Sequence, residues 1–294
     1  MKLIHYLSLF LIALFTLSCG TKKAEKERII SVTIEPQRYF VEKIAGNLFK
    51  IHCVTPAGQS PETYDPTPQQ MVQIGKSMAY FRIGEIGFER AWMKNLSEQN
   101  PDMKVFNLSK GMKMIKNHEE HVRHDHDGHH HHHHHGLVDP HIWTSIEGAK
   151  TIAKNILDAV VELDPNNQSI YQNNYQALSK EIEKTEVTLK NLLEPLRGTS
   201  FIIYHPALTY FAHEFGLNQL CIELDGKEPS PAQLKKLVDT AQESKAKVVF
   251  IQKEFDQKNA ELIAKETGCK LEQINPLDYN WSDAMIHLAI ILAK

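Results

Sequence analysis

From about Asn167 to Leu193 the chain contains neither glycine nor proline and keeps a helical apolar spacing. At ~1.5 Å per residue, such a stretch makes one rod of roughly 40 Å. That is too long for a single small lobe, so whatever lies on either side of it has to be built as two bodies sharing a connector. Both flanks carry the same pattern. Before the rod, strand-like runs at 29–34, 50–55, 78–83 and 104–108 alternate with helical spacing. After it, runs at 200–204, 217–223, 247–251 and 269–274 do the same. Repeated βα alternation implies parallel sheets covered by helices on both faces. The expected fold class is α/β: two βα lobes with parallel sheets, 29–144 and 198–294, joined through a helical segment at 145–197 by one long rigid helix. A cleft between the lobes is the expected site.

The ends of the alternation are punctuated as helices require. Pro68 stands at a first-turn position, Asp164-Pro165 closes the helical pattern that begins near Ser145, and Gly216 and Gly268 follow two further helical runs. The first residues differ from everything after them. Lys2 precedes an apolar stretch from Leu7 to Leu17 that stops at Ser18-Cys19-Gly20. It is too short for a stable membrane span and has the layout of a lipoprotein signal at 1–18, with Thr16 where leucine is usual. Cys19 would carry the lipid and residues 19–28 would form a polar tether. The remaining body has no second long apolar run and a formal net charge of −3, which points away from a nucleic-acid partner. Of the three other cysteines, Cys221 and Cys269 are the better candidates for a disulfide, against the alternative of three buried thiols.

Three loops between rigid elements each offer one metal donor beside a proline: Glu62 in Ser60-Pro61-Glu62-Thr63-Tyr64-Asp65-Pro66, His141 in Asp139-Pro140-His141-Ile142-Trp143, and His205 in Tyr204-His205-Pro206. Open parallel sheets bind ligands beyond the carboxyl ends of their strands, which is where Glu62 and His205 fall. Proline stiffens the backbone at each donor. One carboxylate with two imidazoles is an ordinary set for a divalent transition ion. Between the first and second of these loops, residues 118–135 hold eleven histidines, seven of them consecutive, with no apolar period. That composition cannot build a core and reads as a surface loop that collects or senses zinc.

These residues resemble a family, the metal-binding receptors of bacterial zinc and manganese ABC importers, zinc-type with a histidine-rich loop. The likeness rests on SPETYDPTP at 60–68, DPHIW at 139–143, YHPALTYFAHEFGL at 204–217, the stretch from Pro229 to Phe255, and AKETG followed by INPL within 264–277. The resemblance implies that His141 and His205 are two of the ligands and that Glu62 replaces a histidine. The family's fourth ligand falls on Asn275, a poor zinc donor. Asp278, three residues on, is the candidate replacement, with water or a loop histidine as alternatives.

The implied function is capture of a divalent ion, Zn2+ with Mn2+ as the alternative, and delivery to an ABC importer permease. The protein would act as a monomer held to the membrane on the periplasmic side by lipid on Cys19. A zinc hydrolase is the rival class, but no HExxH motif appears and no acid or base stands beside a proposed donor. A passive metal-buffering lipoprotein would leave the paired-lobe donors idle. The unbroken helix predicts small lobe movement on release.

Overall fold

The computed structural model describes residues 27–116, 138–223 and 229–294. The signal segment, Cys19, most of the tether and the histidine-rich loop lie outside them.

Two four-stranded parallel sheets carry the fold. The first comprises β1 (Ile29–Val32), β2 (Lys50–Cys53), β3 (Ala79–Arg82) and β4 (Lys104–Asn107), in the order β2-β1-β3-β4. The second comprises β5 (Ser200–Ile203), β6 (Asn218–Cys221), β7 (Val248–Gln252) and β8 (Lys270–Ile274), in the equivalent order β6-β5-β7-β8. Residue choice follows position in the sheet. The inner strands IISV and SFII are buried along their whole length, whereas the edge strands KIHC and NQLC begin exposed. Strands covered on both faces need continuous apolar runs, and edges do not.

The first lobe adds α1 (Glu35–Ala45), α2 (Pro68–Ile74) and α3 (Gly87–Gln99). Then come α4 (Ile146–Leu163) and the rod, α5 (Gln168–Leu193, 26 residues), about 39 Å long. The second lobe adds α6 (Thr209–Phe215), α7 (Pro231–Glu243), α8 (Lys258–Thr267) and α9 (Trp281–Leu292). Helices α2 and α7 occupy the same station in the two lobes and start with the same device. Thr67 accepts from Gln70 N, Ser230 accepts from Gln233 N, and a proline follows each cap.

Along β5 the side chains alternate between two apolar clusters. Phe201 and Ile203 join the main core, which also holds Phe40, Tyr80, Ile152, Leu189 and Trp281; Ile202 belongs to a smaller cluster under α7 and α8 with Val249 and Ile263. The main core therefore runs continuously from the first lobe into one face of the second sheet. Helix α5 packs on α1, α4 and α9, so it touches elements of both lobes. Polar contacts reinforce the joint: Tyr39 and Lys43 on α1 bond Glu181 on α5, and the Tyr279 hydroxyl donates to Glu42 at 2.7 Å.

The expected Cys221–Cys269 disulfide is absent; Cys53, Cys221 and Cys269 are all free thiols. Topology explains the error. Cys221 ends the edge strand β6 and Cys269 precedes β8 at the opposite edge, three strand spacings or roughly 14 Å away. A disulfide tolerates only about 7 Å between Cα atoms. The Cys269 thiol instead donates to Ala246 O at 3.1 Å.

Candidate functional site

A small cavity opens between the lobes, lined from the first by Ser60 and Glu62 and from the second by His205, Gln252, Glu254 and Phe255. His141 and Trp143, from the segment entering α4, close it from the side. The three donors expected from the sequence, Glu62, His141 and His205, thus line one cavity.

Glu62 reaches it through a close approach of two loops. Gly87 at the start of α3 donates its N–H to Glu62 Oε2 at 2.9 Å, and Phe88 N donates to Pro61 O at 3.0 Å. Only glycine permits this: a Cβ at residue 87 would lie 2.1 Å from the Glu62 carbonyl oxygen. Beneath that loop, Glu89 is fully buried and accepts from the Thr33 hydroxyl and the N–H groups of Ile83 and Gly84. Burial pushes its carboxyl up to about 7 against these hydrogen bonds.

Both imidazoles are oriented by carboxylates. His141 Nδ1 donates to Asp139 Oδ1 at 2.8 Å, and the same oxygen accepts the His141 backbone N–H at 2.8 Å. His205 Nδ1 donates to Glu223 Oε2 at 3.2 Å. A proton fixed on Nδ1 leaves the Nε2 lone pair as the metal-binding face. Burial lowers the His141 pKa, but the adjacent Asp139 charge outweighs it and holds the imidazole above its ordinary value; Asp139, pushed up by burial, is held below its own by His141. The two imidazole centroids stand 5.2 Å apart, edge to face.

The backbone of His205 is clamped by the buried Gln252, whose Nε2 donates to His205 O at 2.6 Å and whose Oε1 accepts from His205 N at 3.3 Å. Phe255 stacks on the His205 ring with centroids 5.2 Å apart. Trp143, fully buried, donates its indole N–H to Pro276 O at 2.9 Å, and Trp281 donates to Trp143 O at 2.6 Å, which ties the DPHIW segment to the second lobe.

Two buried polar atoms in this cavity have no hydrogen-bond partner among the described residues, Glu62 Oε1 and His205 Nε2. Unpaired buried polar atoms cost about 1–3 kcal/mol each, and two facing one cavity are accounted for by a water or an ion bound there. As they stand, no three His, Cys, Asp or Glu side chains among the described residues are gathered closely enough to hold an ion. The donors share a cavity and would have to draw together around a cation.

Asp278 is not brought to this cavity. Its carboxylate accepts from Asn275 Nδ2 at 3.3 Å and from Asn280 N at 2.9 Å, and it lines a neighbouring cavity with Lys253 and His287. Asn275 lies there too, its Oδ1 accepting from Leu277 N. Sequence reasoning missed the tasks of Gly87, Glu223, Gln252 and Glu254; the last two lie inside the Pro229–Phe255 stretch that carried the resemblance, which gave them no role. Asp139 was in view as part of DPHIW, without its task.

Residues 30–293 match the family model described as zinc-uptake complex component A, periplasmic (ZnuA). The high-affinity zinc uptake system protein ZnuA of Bacillus subtilis is 29% identical over 285 residues, covering 92% of this chain and 88% of that protein. The zinc-binding lipoprotein AdcA of Streptococcus pneumoniae is 26% identical over 95% of this chain, which spans 56% of AdcA's own length. A crystal structure of ZnuA superposes with a TM-score of 0.81 at 36% identity, covering 91% of this chain and 98% of that one.

Proposed function

Because the chain belongs to the periplasmic zinc-uptake component A family, we propose that it captures zinc between its lobes, with Glu62, His141 and His205 as donors, and hands it to an ABC importer permease. It is a binding protein of a transporter and not an enzyme: the ion enters and leaves by ligand exchange, and no covalent bond is made or broken.

The observation that carries the reading is the pair of imidazoles whose Nδ1 atoms are each held by a carboxylate while His205 Nε2 and Glu62 Oε1 lie buried and unpaired at the same cavity. Imidazole-rich sites favour zinc, and a carboxylate admits harder ions, so Glu62 supports Mn2+ as the second reading. Competition titration of the purified chain with zinc and with manganese tests this. One zinc per chain, bound far more tightly than manganese and weakened in Glu62→Ala and His205→Ala, is the expected result. A wild-type chain that binds neither ion would overturn the assignment.

Two features of the described residues bear on the histidine-rich loop. Lys116 and Val138 form an antiparallel bridge, and Asp139 N donates to Ile115 O at 2.8 Å. Lys116 and Val138, the described residues on either side of the segment, thus meet directly before Asp139-Pro140-His141. We place its role as a low-affinity collector beside the cavity. Deleting 118–135 should leave cavity affinity intact.

Membrane attachment through lipid on Cys19 rests on the signal-like segment and on AdcA being named a lipoprotein. No helix among the described residues is long and apolar enough to cross a membrane. On this reading the chain is a monomer on the periplasmic side, with Glu62, His141 and His205 all supplied by one copy. Cys19→Ala should release it from membranes on fractionation, and light scattering should give a single-chain mass.

A further inference from the structure

Three donors leave a tetrahedral ion one short, because a zinc site closed by protein takes four. The loop that the sequence pointed to does not supply the missing one. Both oxygens of Asp278 are engaged, by Asn275 Nδ2 and Asn280 N, and the residue faces the neighbouring cavity. The remaining oxygen donors around the main cavity are few. Ser60 Oγ accepts the Glu62 backbone N–H at 3.3 Å. Gln252 spends both ends of its amide on the His205 backbone. Glu254 is different: half-buried, it lines the cavity, and its carboxylate accepts from its own backbone N–H and lies within electrostatic reach of His205 and Lys253. Its position is fixed by its neighbours, with Gln252 clamping His205 from one side and Phe255 stacked on the His205 ring from the other.

We infer that Glu254 is the fourth protein donor to the captured ion, completing a set of two imidazoles and two carboxylates. This rests on the proposed metal-capture reading of the same cavity. It also deepens that reading. The strand end that holds His205 and the strand end beside it, on β7, both reach the ion, so the second lobe contributes His205 and Glu254 to the single Glu62 of the first. Two carboxylates in place of one shift the preference toward harder divalent ions. The site should therefore discriminate zinc from manganese less sharply than the same site with Glu254 neutralised.

The test uses the full mature chain carrying Glu254→Gln, Asp278→Asn or His205→Ala. Zinc and manganese affinities are measured by competition with a chromophoric chelator, and the visible spectrum is recorded after loading with Co2+ alone. Glu254→Gln is nearly isosteric at a half-exposed position, so the fold should survive, and circular dichroism checks it. The expected result is a zinc affinity reduced at least about tenfold, a manganese affinity reduced further, and an altered cobalt spectrum. Asp278→Asn should match the wild type in all three. If His205→Ala abolishes binding while Glu254→Gln keeps wild-type affinity and spectrum, the fourth-donor assignment is wrong and the capture reading stands. A loss in Asp278→Asn equal to that expected of Glu254→Gln would also overturn it. If the wild type binds neither ion, the capture reading itself fails.

Discussion

The two sheets have the same strand order, yet the lobes deliver their donors by different routes. In the second lobe His205 sits directly beyond β5, its ring set by Glu223 and its backbone by Gln252. In the first lobe the equivalent position beyond β1 is taken by Thr33 and the buried Ile34, and the donor comes from the long loop after β2. Glu62 is then held at second hand, through the Gly87 N–H and a loop anchored below by Glu89. One lobe thus offers a donor on a rigid strand end, and the other a donor on a supported loop. A preorganised strand end loses little on binding, whereas a loop has more freedom to give up. The contrast predicts that the ion is gripped by the second lobe and closed over by the first.

The largest effect should come from His205→Ala, with zinc affinity falling at least about a hundredfold in competition titration, more than for any change confined to a supporting residue. An equal or larger loss for Glu62→Ala would reverse the ranking of the lobes. Next come the orienting carboxylates. Glu223→Gln and Asp139→Asn should each cost about 10–100-fold in affinity while the melting temperature moves little for Glu223→Gln.

Gly87→Ala probes the loop route. Its Cβ would overlap the Glu62 carbonyl, so the loops must part, which should cost about 1–3 kcal/mol in denaturant unfolding and roughly tenfold in zinc affinity. Unchanged affinity would mean that Glu62 needs no support.

The smallest effect is on pH dependence. His141 titrates above its ordinary 6.5, so its share of apo stability is complete below 6.5 and is lost as pH rises through the raised value. Asp139 titrates below 3.8, so its share is present above 3.8 and is lost as pH falls through the lowered value. The pair therefore stabilises the apo protein most between 3.8 and 6.5. Zinc must displace the same proton, so affinity should rise over the range in which apo stability declines. Melting curves and titrations across pH 5–8 should show the opposed slopes, and Asp139→Asn should flatten both.

Much of this was legible in the chain because it is local. Strand and helix periods, the prolines beside Glu62, His141 and His205, and the two proline-containing capping boxes are written within a few residues of one another. What escaped depends on contacts between distant segments. Glu223 lies 18 residues from His205 and meets it only because β5 and β6 pair in parallel. Gly87 lies 25 residues from Glu62 and looks like any helix-start glycine. Asp278 was favoured for being three residues from Asn275, but the turn between them directs its carboxylate to its own loop. The disulfide was favoured because both cysteines flank strands, and strand order, which local pattern does not contain, places them on opposite edges.

The free thiols have a consequence for the fidelity of delivery. A thiolate is a stronger trap for zinc than any imidazole, and a stray one in a carrier would hold its cargo in the wrong place. Burial pushes the Cys221 thiol up to about 12 and the Cys53 thiol higher still, so both stay protonated in any compartment the protein inhabits. Two of the three thiols in the described body of this carrier are thereby chemically silenced. Around the cavity itself the donors are nitrogen and oxygen alone, from which a permease can still take the ion away.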